Sequence, residues 1–416
     1  MAYRARVVDR ELLERLDATG AVLVEGPRAS GKTETARQAA RSEVLLDVDR
    51  TARAAIALDP ALVLPGPVPR LIDEWQVEPD VWNQVRREVD RRGEPGQFIL
   101  TGSAVPIDDV TRHTGAGRVT RLRMRPMSLF ETGHSTGEVS LRRLIEGEPA
   151  RAGDPGLTLS DLVERIAVGG WPGLLERSTR QAIVTNRGYV EELARIDLGR
   201  VDGVRRDPAR IDRLLRALAR NVATHASARS LAAEAGGADG PMRPETASDY
   251  LAALTRLMVV EDQPAWEPDI RSRSRLRSAA KRHFVDPSLA VAALRLNPAR
   301  LIEDPRFLGF LFESLVVRDL RVYAQALDGV VFQYRDNTGL EVDTVLEFPD
   351  GRWAAFEIKL GATQADAAAA SLARLASRVN ETRTGRPVVL GVITGTGYGY
   401  VRADGIAVIP IGSLAP

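Results

Sequence analysis

Apolar and polar positions along the chain fall into three stretches of different rhythm. In the first, short apolar runs alternate with amphipathic segments. Ala21-Val22-Leu23-Val24, Val44-Leu45-Leu46-Asp47-Val48, Arg70-Leu71-Ile72-Asp73 and Phe98-Ile99-Leu100-Thr101-Gly102-Ser103 have strand length. Helices are expected over 5–18, with Leu12, Leu13 and Leu16 on one face, from Glu34 onward, and over 79–93, ending at Arg91-Arg92-Gly93. This alternation predicts an α/β domain over 1–150. Its tail, 131–156, is rich in Gly, Ser, Glu and Pro and reads as a loop or linker.

From Leu159 the rhythm turns helical, broken at Gly169-Gly170-Trp171-Pro172-Gly173. Leu214, Leu215, Leu218 and Val222 share a helix face, a short helix follows at 231–235, and a third runs from Pro244 to Leu257. Met258-Val259-Val260-Glu261-Asp262 reads as a strand. Helix, short helix, helix and wing is the order of a winged helix-turn-helix, so 151–295 is expected to be a helical, winged-helix-like region. Its third helix is poor in basic residues, with Arg243 before it and Arg256 near its end; these concentrate instead in Arg271-Ser272-Arg273-Ser274-Arg275 and Lys281-Arg282. A packing or self-association module fits the pattern as well as a DNA reader does. The last stretch, 296–416, predicts an amphipathic helix over 306–327, strands at 330–334, 341–346 and 353–359, a helix over 363–378 and a strand at 388–393.

Composition narrows the chemistry. The 416 residues contain no cysteine, which excludes disulfides, thiol catalysis and cysteine-based zinc sites. The four histidines, His113, His134, His225 and His283, are scattered, against a histidine metal centre. Net charge is +1, so any nucleic-acid surface must be local. The charged first twenty residues carry no apolar signal core, and no apolar stretch has membrane-spanning length, so a cytoplasmic protein without a membrane partner is expected. Arginine supplies nearly all the positive charge; lysine occurs only at 32, 281 and 359.

The first of those lysines sits in Gly26-Pro27-Arg28-Ala29-Ser30-Gly31-Lys32-Thr33, a G-x-x-x-x-G-K-[ST] phosphate loop between an apolar strand and a helix opening at Glu34. Glycines let the backbone turn successive N–H groups onto a phosphate, and the helix adds its positive end. Lys32 would reach the β- and γ-phosphates and Thr33 would give its hydroxyl to Mg²⁺. Some forty residues on, Asp73 and Glu74 end an apolar strand. Asp73 would hold the metal's hydration shell and Glu74 would orient and deprotonate the attacking water. At the end of the next strand Ser103, with Thr101 behind it, could sense the γ-phosphate. Arg118, in Thr114-Gly115-Ala116-Gly117-Arg118, could stabilise the transferring charge within the chain or across an interface.

GPRASGKT, LIDEWQ, LTGS, GAGR and LRMRPMSLFE (122–131) together resemble a prokaryotic AAA-type ATPase family whose members carry a C-terminal domain of unknown function. The resemblance places the loop glycines at Gly26 and Gly31, the acids at Asp73 and Glu74, and a loop arginine at Arg118. It implies ATP as the nucleotide; no guanine-reading Asn-Lys-x-Asp stretch occurs. Trp75 departs from the aliphatic residue usual there. The GGWPGLLE turn is similar to the family's internal junction, and Lys281-Arg282-His283-Phe284-Val285-Asp286 to a further family segment. For Lys281 itself a structural ion pair is expected.

The last stretch also resembles the PD-(D/E)XK nuclease core: helix, three strands, helix, strand, with Asp343 and then Glu357-Ile358-Lys359. Glu357 and Lys359 point to one face because side chains alternate along a strand, and Asp343 on the neighbouring strand can face them. Two carboxylates would hold Mg²⁺ and Lys359 would assist the water, with Glu313 on the preceding helix completing the site. Alternating acid and lysine is equally the pattern of a solvated strand face, and members of this fold class have lost catalysis. Two readings follow: an ATPase whose nucleotide state controls a nucleic-acid-binding or nuclease-like module, or an ATP-dependent switch whose inactive C-terminal domain binds a protein partner. DNA, RNA, a protein and a second copy all stay open as partners.

Overall fold

The computed structural model describes residues 2–103, 114–197, 206–237, 240–268 and 279–416. His113 and the basic run Arg271–Arg275 lie outside the described residues. The chain forms two compact units. One comprises residues 1–125 with 197–205 and 253–259; the other comprises 126–196, 206–252 and 260–416.

The first unit is built on a parallel sheet of β1 (Ala21–Glu25), β2 (Ser42–Leu45), β3 (Arg70–Asp73), β4 (Phe98–Gly102) and β5 (Val119–Arg123), in the order β2-β3-β4-β1-β5. Strands of a parallel sheet are covered on both faces, which explains the unbroken apolar runs in β1 and β4. The helices are α1 (Val8–Ala18), α2 (Lys32–Ala39), α3 (Arg50–Leu58) and α4 (Val81–Arg92). Helix α4 buries Val81, Trp82, Val85 and Val89 and stops at Gly93, whose φ of 67° suits a residue without a side chain. Trp82 stacks on Trp75 with ring centroids 5.0 Å apart.

The strand expected at 44–48 instead begins at Ser42 and ends at Leu45. Asp49 ends it early: its N–H donates back to the Leu45 carbonyl, and its carboxylate caps α3 by accepting from Ala52 N–H. All five strands run the same way, so the loop after β1, Asp73 of β3 and Thr101 of β4 emerge along one edge of the sheet.

In the second unit the 131–156 segment is not a plain loop. It holds β6 (Val139–Ser140) and the helix Leu141–Ile145, which Ser140 caps. A six-stranded sheet uses β7 (Val330–Arg335), β8 (Glu341–Glu347), β9 (Trp353–Lys359), β10 (Val389–Thr394), β11 (Tyr400–Val401) and β12 (Ala407–Pro410). Its order is β11-β12-β10-β9-β8-β7. β7, β8 and β9 are antiparallel neighbours, whereas β10 runs parallel to β9 and to β12. The crossover from β9 to β10 contains the helix Ala365–Arg378, which buries Ala365, Ala368, Ala369, Leu372 and Leu375 at helical spacing. The long helix Pro305–Gln325 packs on β7, β8 and β9. A last strand, β13 (Leu414–Ala415), pairs in parallel with β6.

Helices Pro208–Arg220, Ala228–Glu234 and Pro244–Arg256 form where helical spacing places them. The strand expected at 258–262 does not. Met258 adopts a φ of 58°, which breaks an extended run, and only isolated bridges join Val260 to Phe284 and Gln263 to Lys281. Among the described residues, no helix is long and apolar enough to cross a membrane.

Candidate functional site

The loop after β1 turns through two left-handed residues, Ala29 at φ 61° and Gly31 at φ 95°. Gly31 is the N-terminal cap of α2, so the helix opens with Lys32 and Thr33 at its positive end. Gly26 has a different reason to be glycine: a side chain there would run into the Met124 carbonyl. Ser30 Oγ donates to the Pro27 carbonyl at 2.8 Å, and Arg6, buried, clasps the loop from outside. Its guanidinium donates to Ser30 O at 2.8 Å and to Arg125 O at 2.7 Å.

Lys32 is folded into the loop, its Nζ donating to Pro27 O at 2.9 Å. Burial lowers its pKa to about 8, although the charges of Glu74 and Asp73 oppose the shift. Thr33 Oγ1 donates to Asp73 Oδ1 at 2.8 Å, and Thr101 Oγ1 donates to the same oxygen. Glu74 adopts φ 53°, with its N–H on Thr101 Oγ1 at 3.2 Å. Gln76 Nε2 and Ser103 Oγ both donate to Glu74 Oε2, the latter at 3.3 Å. Lys32, Thr33, Asp73, Glu74, Thr101 and Ser103 thus share the carboxyl-terminal edge of the sheet, where α/β folds hold ligands. The hydroxyl of Thr33 beside the Asp73 carboxylate is a hard-oxygen donor set that suits Mg²⁺ carried by a nucleotide.

Arg28 and Glu34 are on the outer side of the loop, Glu34 pairing with Arg37 at 2.5 Å. Arg118 is not brought to this edge. Its carbonyl accepts from Ala21 N–H at 3.0 Å, at the start of β1, and its Nε bonds Asp90 at 2.7 Å. A five-residue strand is about 16 Å long, so Arg118 lies at the opposite end of β1 from the loop. Two contributors were not assigned from sequence. Arg6 gave no signal among many arginines, and Gln76, inside the LIDEWQ segment, donates to Glu74.

The second cluster is in the C-terminal sheet. Glu313 of the helix Pro305–Gln325, Asp343 of β8, and Glu357 and Lys359 of β9 do come together, and Lys281 joins them. Lys281 Nζ is 2.7 Å from Glu313 Oε1 and 3.4 Å from Asp343 Oδ1. Lys359 Nζ is 3.0 Å from Asp343 Oδ2 and 2.5 Å from Glu357 Oε2. The Ile358 N–H also donates to Asp343 Oδ2, at 2.9 Å. Burial would raise the Asp343 carboxyl, but the charges of Lys281 and Lys359 outweigh it and hold it well below the usual range. Burial, then the Asp343 charge, pushes Glu357 up to about 8; burial pushes Glu313 to about 7. Asp343 and Glu357, the two carboxylates expected to hold Mg²⁺, are both bonded by Lys359, the lysine expected beside them. A second ammonium, Lys281, stands between Glu313 and Asp343, and among the described residues no group of three or more His, Cys, Asp or Glu side chains is placed to hold a metal ion. Lys281 makes the structural ion pair expected of it, but inside the very cluster that the sequence assigned to others.

Comparison with known proteins agrees with the first unit. Residues 18–133 match the model of a AAA domain, which supports a P-loop ATPase domain able to bind ATP. Residues 159–300 and 308–414 each match a domain of unknown function, DUF8612 and DUF4143. Uncharacterized protein Mb2031c of Mycobacterium bovis and uncharacterized protein Rv2008c of Mycobacterium tuberculosis are each 28% identical over 366 residues, covering 85% of this chain and 75% of theirs. Among solved structures, the Walker-type ATPase PABY2304 of Pyrococcus abyssi superposes with a TM-score of 0.41 at 15% identity, over 68% of this chain and 94% of that one.

Proposed function

We propose that the first unit binds ATP with Mg²⁺ and hydrolyses it, and that nucleotide state controls the C-terminal module. One observation carries the reading: Lys32, the Thr33–Asp73 pair and the Glu74–Ser103 pair lie along one edge of the sheet at the mouth of the phosphate loop. Lys32 would neutralise the β- and γ-phosphates, and Thr33 and Asp73 would hold the metal. When bound, Mg²⁺ offsets charge on the transferring phosphoryl group. Glu74 is the base: its carboxylate, oriented by Gln76 and Ser103, takes a proton from the attacking water. An arginine contribution from Arg118 would have to come from a second copy of the chain, because its own loop is at the other end of β1.

Lys32→Ala is expected to lose both nucleotide binding and turnover. Glu74→Gln is expected to keep binding and lose turnover by about 10²–10⁴-fold, the usual worth of a positioned base. Nucleotide titration and a phosphate-release assay measure the two separately. Unchanged turnover in Lys32→Ala would remove the basis for the reading.

For the C-terminal module, the order of helix, antiparallel meander, crossover helix and parallel strand supports a nuclease-like shape. The extra ammonium of Lys281, bonded to Glu313 and reaching Asp343, favours the second reading, a catalytically inactive module that carries the output by binding a protein partner. The wild-type protein is then expected to turn over ATP without cleaving DNA or RNA in Mg²⁺ or Mn²⁺. Divalent-dependent cleavage that Asp343→Asn abolishes would restore the nuclease.

A further inference from the structure

The five side chains of the C-terminal cluster come from four places in the chain, and their charges interleave. Lys281 bonds Glu313 and reaches Asp343; Lys359 bonds Asp343 and Glu357. The Lys281 and Glu313 side chains are only 6% and 10% exposed, so water does little to screen the pair. Lys281 is also fixed along its backbone. Its N–H donates to Gln263 O at 3.0 Å and its carbonyl accepts from Gln263 N–H at 2.8 Å. The Gln263 side-chain amide in turn donates to the carbonyls of Phe332 at 2.9 Å and Asp343 at 3.0 Å. The ammonium is therefore held where oxygens from a helix and a strand converge. A chain that elsewhere relies on arginine places lysine here, where a planar guanidinium would not fit the role of a compact point charge. Hard divalent cations also take convergent carboxylate oxygens.

We infer that Lys281 stands in for a divalent cation: the native cluster is neutralised by its own lysine and takes no metal, and removing that ammonium leaves an oxygen site for Mg²⁺ or Mn²⁺. The inference rests on reading the C-terminal module as inactive and names the residue that silences it.

The test is titration of the full-length, nucleotide-free chain with Mn²⁺ alone, followed by the electron paramagnetic resonance signal of free Mn²⁺. Wild type and Asp343→Asn are expected to bind Mn²⁺ alike. Lys281→Met is expected to gain one site at least tenfold tighter than any in wild type, and the double variant Lys281→Met/Asp343→Asn to lose it. A Mn²⁺ site in wild type that Asp343→Asn removes overturns the inference, whatever the fate of the lysine variant. So does a Lys281→Met chain with a cooperative melt and no new site; if that chain fails to fold, Lys281→Gln, which keeps a donor for Glu313, takes its place in the same comparison. Mn²⁺-dependent cleavage of DNA by wild type would instead overturn the inactive-module reading. An inert wild type with no gain in the lysine variants overturns only the assignment to Lys281.

Discussion

Lys32 carries a measurable consequence of its burial. With its pKa lowered to about 8 by desolvation, the free protein loses this charge around pH 8 rather than above pH 10. A bound triphosphate favours the ammonium, so binding above pH 8 must take up a proton. Affinity for ATP is expected to fall as pH rises through 8, by up to about tenfold per pH unit, and titrations between pH 6.5 and 9.5 would show it. A flat profile would mean that Lys32 stays charged without nucleotide. In the second cluster the carboxyls of Glu357 and Glu313 are raised, to about 8 and about 7. The native state then binds protons that the unfolded chain has released, from about pH 4.5 upward. Their contribution to stability is complete below that pH and is lost as pH rises through 7 to 8. Asp343, held low, contributes in the opposite sense, but only in strong acid. Melting temperature is expected to drop between pH 5.5 and 8.5, and to drop less in Glu357→Gln; equal slopes in the two proteins would refute the assignment.

At the scale of elements, tight turns against neighbouring backbone set the tolerances. Met127 N–H donates to Gly170 O at 2.7 Å, and a methyl group on Gly170 would run into the Met127 carbonyl. Gly170→Ala is expected to cost about 1–3 kcal/mol in denaturant unfolding, as overpacking does, whereas Gly173→Ala, with open space around it, should cost far less. These elements also show what the sequence discloses. The phosphate loop was legible because its chemistry is contiguous, eight residues between a strand and a helix. Asp343, Glu357 and Lys359 were legible because alternation along two neighbouring strands puts them on one side. Lys281 was not assigned to that cluster, because a bridge to Gln263 rather than any local period brings it there. The end of β2 is not legible because apolar character continues past Leu45, while the Asp49 cap decides where the chain turns. Whether Arg118 reaches the phosphate loop of its own chain is not legible, because a motif conveys sequence distance, not which end of a strand its loop adjoins.

At the scale of the whole molecule, the second unit is tied by buried charge as well as by its apolar core. Arg318 donates to Asp286 Oδ2 at 2.8 Å and to Asp319 Oδ1 at 2.7 Å, with all three side chains almost inaccessible to water. The two carboxylates also accept from backbone: Gly170 N–H to Asp286 and Leu129 N–H to Asp319, both at 2.9 Å. Segments far apart in sequence thus meet on one guanidinium. Arg318→Ala leaves two buried carboxylates without their cation, and a loss of about 3–5 kcal/mol is expected in chemical denaturation. A loss below 1 kcal/mol would show that water or a proton takes its place. The short parallel pair of β6 and β13 closes the same unit across a far longer stretch of sequence: Ser140 Oγ donates to Pro416 O, 276 residues away. At the usual pace of synthesis, about 5–20 residues per second, β6 is synthesised roughly 14–55 s before its partner. For that interval Val139 and Ser140 have no strand to pair with, and assembly of the second unit is timed by translation as much as by its own folding rate.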